Sequence, residues 1–182
     1  MQNKDTEKGR IIIYTGNGKG KTTAAVGTAV RALGRGMKVA MLQFIKSPER
    51  SYGEQLSLEK LGAVVQQLGA GFTWTKTPEE HRTALESAWK TAKECIEGGE
   101  YDLIILDELN NALAIDSFPI HDILPLNEVI EVLLNRPASL HVLITGRDAK
   151  DEIKAIADLV SVIEAEKHYY DEGVNAIYGI EY

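Results

Sequence analysis

Short apolar runs alternate with amphipathic stretches along this chain, and the alternation predicts its elements. Residues 11–14, Ile-Ile-Ile-Tyr, are a compact apolar run of the kind that forms a strand buried on both faces. Three glycines follow. Residues 21–35 then repeat apolar positions at helical spacing, with Ala24, Ala25, Val26, Ala29, Val30 and Leu33 inward and Gly34 or Gly36 at the end. The same reading gives further strands over 39–44, 64–68, 101–106, 140–145 and 160–165. Between them it gives helices over 54–61, 77–97, 127–134 and 149–157. The long helix has a complete start signal: Thr77 as N-cap, Pro78 at the first helical position and Glu80 to close a capping box. Residues 169–182 are rich in Tyr and Gly, and their end is expected to be extended.

Strands that alternate with helices predict an α/β fold. The expectation is a P-loop NTPase-like (RecA-like), mostly parallel sheet of about six strands with helices on both faces. There is no internal repeat and no linker, so residues 9–182 are expected to form a single domain behind a mobile segment, 1–8. A length of 182 residues is ample for one hydrophobic core. A formal net charge of -7 gives the chain no bulk attraction for nucleic acid or an anionic membrane, so neither is expected as a partner. The first ten residues are too polar for a signal peptide, and the apolar run 103–106 is far too short to span a bilayer. A cytoplasmic location is therefore expected. The single cysteine, Cys95, excludes an intrachain disulfide, and His81, His121, His141 and His168 are scattered without metal-ligand spacing.

The chemistry begins at residues 15–23, Thr-Gly-Asn-Gly-Lys-Gly-Lys-Thr-Thr, which lie between a predicted strand and a predicted helix. A phosphate loop requires that context. Gly16, Gly18 and Gly20 let the backbone around Asn17 and Lys19 curl into a nest of N–H groups, and the helix dipole adds positive charge. Lys21 supplies a cation for the outer phosphates, the Thr22 hydroxyl suits Mg²⁺, and Thr23 completes the motif. Thr15 stands where the general pattern has glycine. A glycine-rich turn without a ligand is the rival reading, and the Gly-Lys-Thr-Thr ending argues against it. A second signal is the run 103–106 ending in Asp107 and Glu108. In such a sheet, carboxylates at a strand end sit beside the nucleotide, so Asp107 or Glu108 could hold Mg²⁺. Asp107 as a mere turn cap is the alternative.

Beyond the nucleotide, the residues resemble a known family. The P-loop with Tyr14 and Thr15, the Gln43-Phe44-Ile45-Lys46 block, Gly71-Phe72-Thr73-Trp74, and the tail from Tyr170 to Tyr182 together resemble the P-loop ATP:corrinoid adenosyltransferases of the cobalamin-salvage type. The resemblance runs over nearly the whole chain, and Thr15 is the family's own form of the loop. Asn175, where relatives often carry lysine, and the short segment before the first strand depart from the pattern. The resemblance implies that reduced cobalt, Co(I), attacks C5′ of ATP and that the whole triphosphate leaves. It further implies ATP and a reduced corrinoid (cobalamin or a precursor) as substrates, Mg²⁺ as cofactor, an electron donor such as a flavodoxin or reduced flavin, and a homodimer. Lys21 would clamp the triphosphate. Phe72 and Trp74 would exclude the axial ligand of Co(II), although loop packing accounts for two aromatics as readily. Arg31 and Arg147 are candidate phosphate contacts, and Tyr169, Tyr170 and Tyr178 candidate walls of a corrinoid pocket. An ordinary P-loop ATPase or small-molecule kinase and a non-catalytic ATP- or corrinoid-binding protein are the rival functions.

Overall fold

The computed structural model describes residues 8–71 and 76–182. Six strands form one sheet: β1 (Ile11–Thr15), β2 (Val39–Gln43), β3 (Val64–Gln67), β4 (Leu103–Asp107), β5 (His141–Thr145) and β6 (Leu159–Val162). Their order is β3-β2-β4-β5-β1-β6, and every neighbouring pair is parallel. The helices are α1 (Lys21–Leu33), α2 (Gly53–Lys60), α3 (Pro78–Gly98), α4 (Leu109–Leu113), α5 (Leu126–Asn135) and α6 (Asp151–Ala155).

Period-two alternation along the strands divides the core between two faces. Ile11 and Ile13, Ala40 and Leu42, Ile104 and Leu106, and Val142 and Ile144 point to the face covered by α3 and α5. Val39 and Met41, Leu103 and Ile105, and Leu143 point to the face covered by α1 and α2. The central strands β2 and β4 are buried at every position, as strands covered on both sides must be. At the sheet edge, β6 is exposed at Leu159, Val160 and Val162.

Element boundaries move by no more than three residues at any end. The sixth strand stops at Val162 rather than 165, and α6 is confined to 151–155. The capping box at Thr77 is present in both directions: the Glu80 N–H donates to Oγ1 at 3.2 Å and the Thr77 N–H donates to Glu80 Oε2 at 2.8 Å. The α4 turn was not predicted, because Leu109–Leu113 continues directly from strand β4 through a residue in the left-handed region, Glu108, φ 63°. The tail is not extended. It makes a 3₁₀ turn at Tyr169–Glu172 and closes with a turn around Gly179, φ 78°. Among the described residues, no helix is long and apolar enough to cross a membrane.

Candidate active site

At the carboxyl ends of the strands lies a cleft of about 510 Å³, floored by residues 19–23 and walled by Lys46, Glu54, Glu108, Asn111 and Arg147. The order of the sheet builds it. Strand β5 lies between β1 and β4, so Thr145 at its end stands between the phosphate loop and the acid pair. Its hydroxyl donates to Asp107 Oδ1 at 2.7 Å and accepts the Glu108 N–H at 2.8 Å. Thr22 in the first turn of α1 donates to the same Oδ1 at 2.8 Å. The Gln43 amide donates to Oδ2 at 3.0 Å. Asp107 is fully buried, and these bonds compensate the desolvation of its charge. It therefore holds the Thr22 hydroxyl in place, a more specific part than capping a turn.

The loop itself divides its work. Lys19, Gly20, Lys21, Thr22 and Thr23 line the cleft, as the motif predicts. Gly16 and Gly18 face away from it. A Cβ on Gly16 would fall 2.4 Å from the Ile163 carbonyl oxygen, and one on Gly18 would fall 2.6 Å from the Glu164 carbonyl carbon. These glycines are needed because the chain leaving β6 presses against the loop, and the Gly18 N–H donates to the Ile163 carbonyl at 2.7 Å. Asn17 is exposed on the outside of the loop. Thr15 is buried, and its hydroxyl receives the Ala149 N–H at 3.4 Å, which gives threonine a structural use at that position. Helix α1 begins on Gly20 with no side-chain cap and no acidic residue in its first turn, so its leading N–H groups and positive dipole end face the cleft.

Charge in the cleft is tuned by burial and proximity. Burial lowers the pKa of the Lys21 ammonium, and the Arg147 guanidinium adds to the effect. Lys21 Nζ donates to the Gly18 carbonyl at 2.7 Å. Burial and the neighbouring Asp107 charge push Glu108 up to about 7, so this carboxyl titrates near neutrality. Lys46 is shifted the other way. Burial alone would lower it, but Asp107 and Glu54 together outweigh burial and hold its proton more tightly. Glu54 is lowered correspondingly, the Lys46 charge overcoming the effect of burial.

Asp107, Glu108 and Thr22 are brought together as the motifs predict, and Arg147 reaches the cleft wall, its N–H held by Asn111 Oδ1 at 3.0 Å. The structure does not bring Arg31 here. It sits exposed in the last turn of α1, ten residues beyond Lys21, about 15 Å along the axis at 1.5 Å per residue. A phosphate contact from Arg31 is corrected on that ground. Tyr170 and Tyr178 stand 69% and 84% exposed, and of the tail tyrosines only Tyr182 lines the cleft. Phe72 and Trp74 lie outside the described residues. Thr145, Asn111, Glu54 and Glu181 had not been singled out for a role. Gln43 and Lys46 carried one available signal, polar residues at the end of an apolar strand. Nothing in the sequence points to Glu54, which reaches the cleft because α2, packed against β3 and α1, starts beside the end of β2.

The oxygen donors Thr22, Asp107 and Glu108 form a hard set. Among the described residues, no group of three or more His, Cys, Asp or Glu is gathered that could hold an ion alone. Such a set fits Mg²⁺, which usually keeps waters and takes phosphate oxygens beside one or two carboxylates.

Comparison with known proteins agrees with this geometry. Residues 7–182 match the family model of the ATP:corrinoid adenosyltransferase BtuR/CobO/CobP. A corrinoid adenosyltransferase from Escherichia coli K12 is 44% identical over 177 residues, covering 97% of this chain and 87% of that protein. The corrinoid adenosyltransferase CobA of Salmonella typhimurium is 44% identical over the same length, and one from Pseudomonas aeruginosa is 37% identical over 179 residues. Among solved structures, a KaiC-like protein from Pyrococcus horikoshii OT3 superposes with a TM-score of 0.54 at 15% identity, covering 88% of this chain and 75% of that one. That likeness shows the fold, a P-loop NTPase-like, RecA-like sheet.

Proposed function

Because the chain belongs to the ATP:corrinoid adenosyltransferase BtuR/CobO/CobP family, whose reaction is ATP-dependent adenosylation of a corrinoid, we propose how its own residues carry that reaction. The observation that supports the assignment is the meeting, in one cleft, of Lys21, Thr22, Glu108 and Arg147 with the uncapped start of α1. Co(I) of the corrinoid donates its electron pair to C5′ of ATP. The C5′–O bond breaks, and its electrons leave on the triphosphate. No general base is needed, because the nucleophile carries no proton. The protein's task is to position two large substrates and to stabilise charge that grows on the leaving oxygens.

Lys21, the N–H groups of residues 19–23 and Arg147 stabilise that charge. Thr22 and one of Asp107 or Glu108 hold Mg²⁺. Asp107 is bonded on both oxygens and orients Thr22, which leaves Glu108 as the carboxylate open to the cleft. When bound, the ion neutralises part of the triphosphate charge. Phe72 and Trp74 exclude the axial ligand of Co(II), a role that rests on the Gly-Phe-Thr-Trp block alone. The protein acts in the cytoplasm as a homodimer, and a flavodoxin or reduced flavin supplies the electron that makes Co(I).

The test is an assay with ATP, a strong chemical reductant and cobalamin. The expected products are a light-sensitive adenosylated corrinoid and inorganic triphosphate in equal amounts. Release of ADP or orthophosphate without an alkylated corrinoid would instead reveal an ATPase or kinase, and no turnover a binding protein.

A further inference from the structure

One short strip of chain, residues 43–46, joins the phosphate end of the cleft to the turn that precedes Phe72. On one side the strip is bonded to Asp107. The Gln43 amide donates to Oδ2 at 3.0 Å, the Phe44 N–H donates to the Asp107 carbonyl at 3.0 Å, and the Lys46 ammonium lies 3.8 Å from Oδ2. On the other side its carbonyls receive the turn. Gln43 accepts the Leu68 N–H at 2.9 Å, Lys46 accepts that of Gly69 at 3.0 Å, and Ile45 accepts that of Gly71 at 3.0 Å. The approach is tight: a Cβ on Gly69 would lie 2.2 Å from the Ile45 carbonyl. The turn therefore cannot slide past the strip without breaking main-chain bonds.

Lys46 is the side chain that fastens the strip. Its ammonium is held between Glu54 from α2 and Asp107 from β4, and it stands 4.9 Å from the centroid of the Tyr52 ring. It is only 16% exposed, and a cation so engaged by carboxylates is poorly placed to act as another free phosphate ligand. Two elements, α2 and β4, thus share one half-buried cation, whose own main chain bonds the turn that precedes Phe72.

We propose that Lys46 is a positioning residue that makes the 43–46 strip move as one piece with the phosphate-end acids, so that nucleotide in the cleft fixes the Gly69–Gly71 turn from which Phe72 and Trp74 depart. The inference rests on the reading that ATP occupies this cleft. Coupling between two sites requires a physical element that both bias, and this strip is such an element.

The test follows backbone hydrogen exchange at Gly69 and Gly71 by NMR in the full chain, with and without Mg-ATP, while calorimetry measures Mg-ATP binding separately. In the wild type, Mg-ATP should slow exchange at both amides by about tenfold, within the range usual for coupled sites. In Lys46→Met at saturating Mg-ATP that slowing should disappear, and in Lys46→Arg it should return. A merely structural role would speed exchange across the sheet with or without nucleotide, so the nucleotide-dependent difference is the readout. Should Lys46→Met not fold, Glu54→Gln is read in the same way, because it removes the ammonium's nearer partner at constant volume. The proposal is overturned if the variant keeps the wild-type slowing, or if wild-type Gly69 and Gly71 do not respond while calorimetry reports bound Mg-ATP. Absence of Mg-ATP binding in the wild type would overturn the nucleotide reading itself.

Discussion

Beneath the floor of the cleft, Asp107 is fully buried and accepts from Thr22, Thr145 and Gln43, whereas on the roof the Glu181 carboxylate pairs with Tyr169 and Lys19 amid residues that stand in solvent. Glu181 lines the cavity itself, and Asp107 lies just beneath its lining, bonded to Thr22 and Thr145. The floor belongs to the sheet: its bonds tie β2, β4, β5 and α1 together, and loosening one strains the others. The roof is the tail. Residues 173–180 are exposed throughout, Ile180 at 65%, and the Lys19–Glu181 pair spans 3.5 Å between partly exposed side chains. An exposed ion pair of that kind contributes between about 0 and 1 kcal/mol. The contrast teaches that the cleft has a fixed side for charge and a side that opens at little cost, as a site admitting two large substrates requires.

The largest expected effect tests the fixed side. Lys21→Ala removes the loop's cation, and deleting one such electrostatic contact typically costs about 10²–10³ in kcat. Turnover at the wild-type rate with both substrates saturating would break the view of the floor as the charge-stabilising wall.

Gly18→Ala tests the seam between floor and tail. The new methyl carbon would meet the Glu164 carbonyl carbon at 2.6 Å, a main-chain atom that cannot swing aside as a flexible side chain could. Overpacking of this kind costs about 1–3 kcal/mol, so thermal melts should show a clear loss of stability. An unchanged melting temperature would mean that the chain after β6 moves freely and that the seam belongs to the roof.

Glu108 sharpens the comparison through pH. Its carboxyl is raised from the ordinary 4.5 to about 7, by burial first and then by Asp107. A raised acid binds more protons folded than unfolded between those values, so its contribution to stability is present at low pH and lost as pH rises through about 7. Glu108→Gln is neutral at every pH. In protein free of metal and nucleotide it should match the wild type near pH 5 and exceed it at pH 8 by on the order of 1–3 kcal/mol, taking about 1.4 kcal/mol per unit. Melts across that range decide it, and a difference that does not grow with pH would assign Glu108 an ordinary, solvated environment.

The smallest effect belongs to the roof. Glu181→Gln weakens the contacts to Tyr169 and Lys19 and should change stability by less than about 1 kcal/mol. It should raise KM by a few-fold and leave kcat nearly untouched. A large fall in kcat would show that the tail takes part in the chemistry rather than in closing the cleft.

Much of this was legible in the sequence, for local reasons. Ile11-Ile12-Ile13 had to be a strand, though Ile12 is only half-buried rather than covered on both faces, Thr77-Pro78-Glu80 had to start a helix, and a glycine-rich turn ending in Gly-Lys-Thr-Thr had to lead from a strand into a helix at the cleft. Each signal lies within a few residues, so backbone sterics and hydrogen bonding determine it wherever it occurs in the fold. What the sequence left open depends on neighbours distant along the chain. That Thr145 stands between Asp107 and the loop follows from β5 inserting between β1 and β4. That Arg31 lies far from the loop follows from its place in the last turn of α1, and that Glu54 shares a cation with Asp107 follows from α2 starting beside the end of β2. The sequence determined a P-loop α/β chain with an acid pair at a strand end. The tertiary structure alone decided which polar residues meet there, because strand order and helix packing bring together side chains separated by tens of residues, and no local rule carries that information.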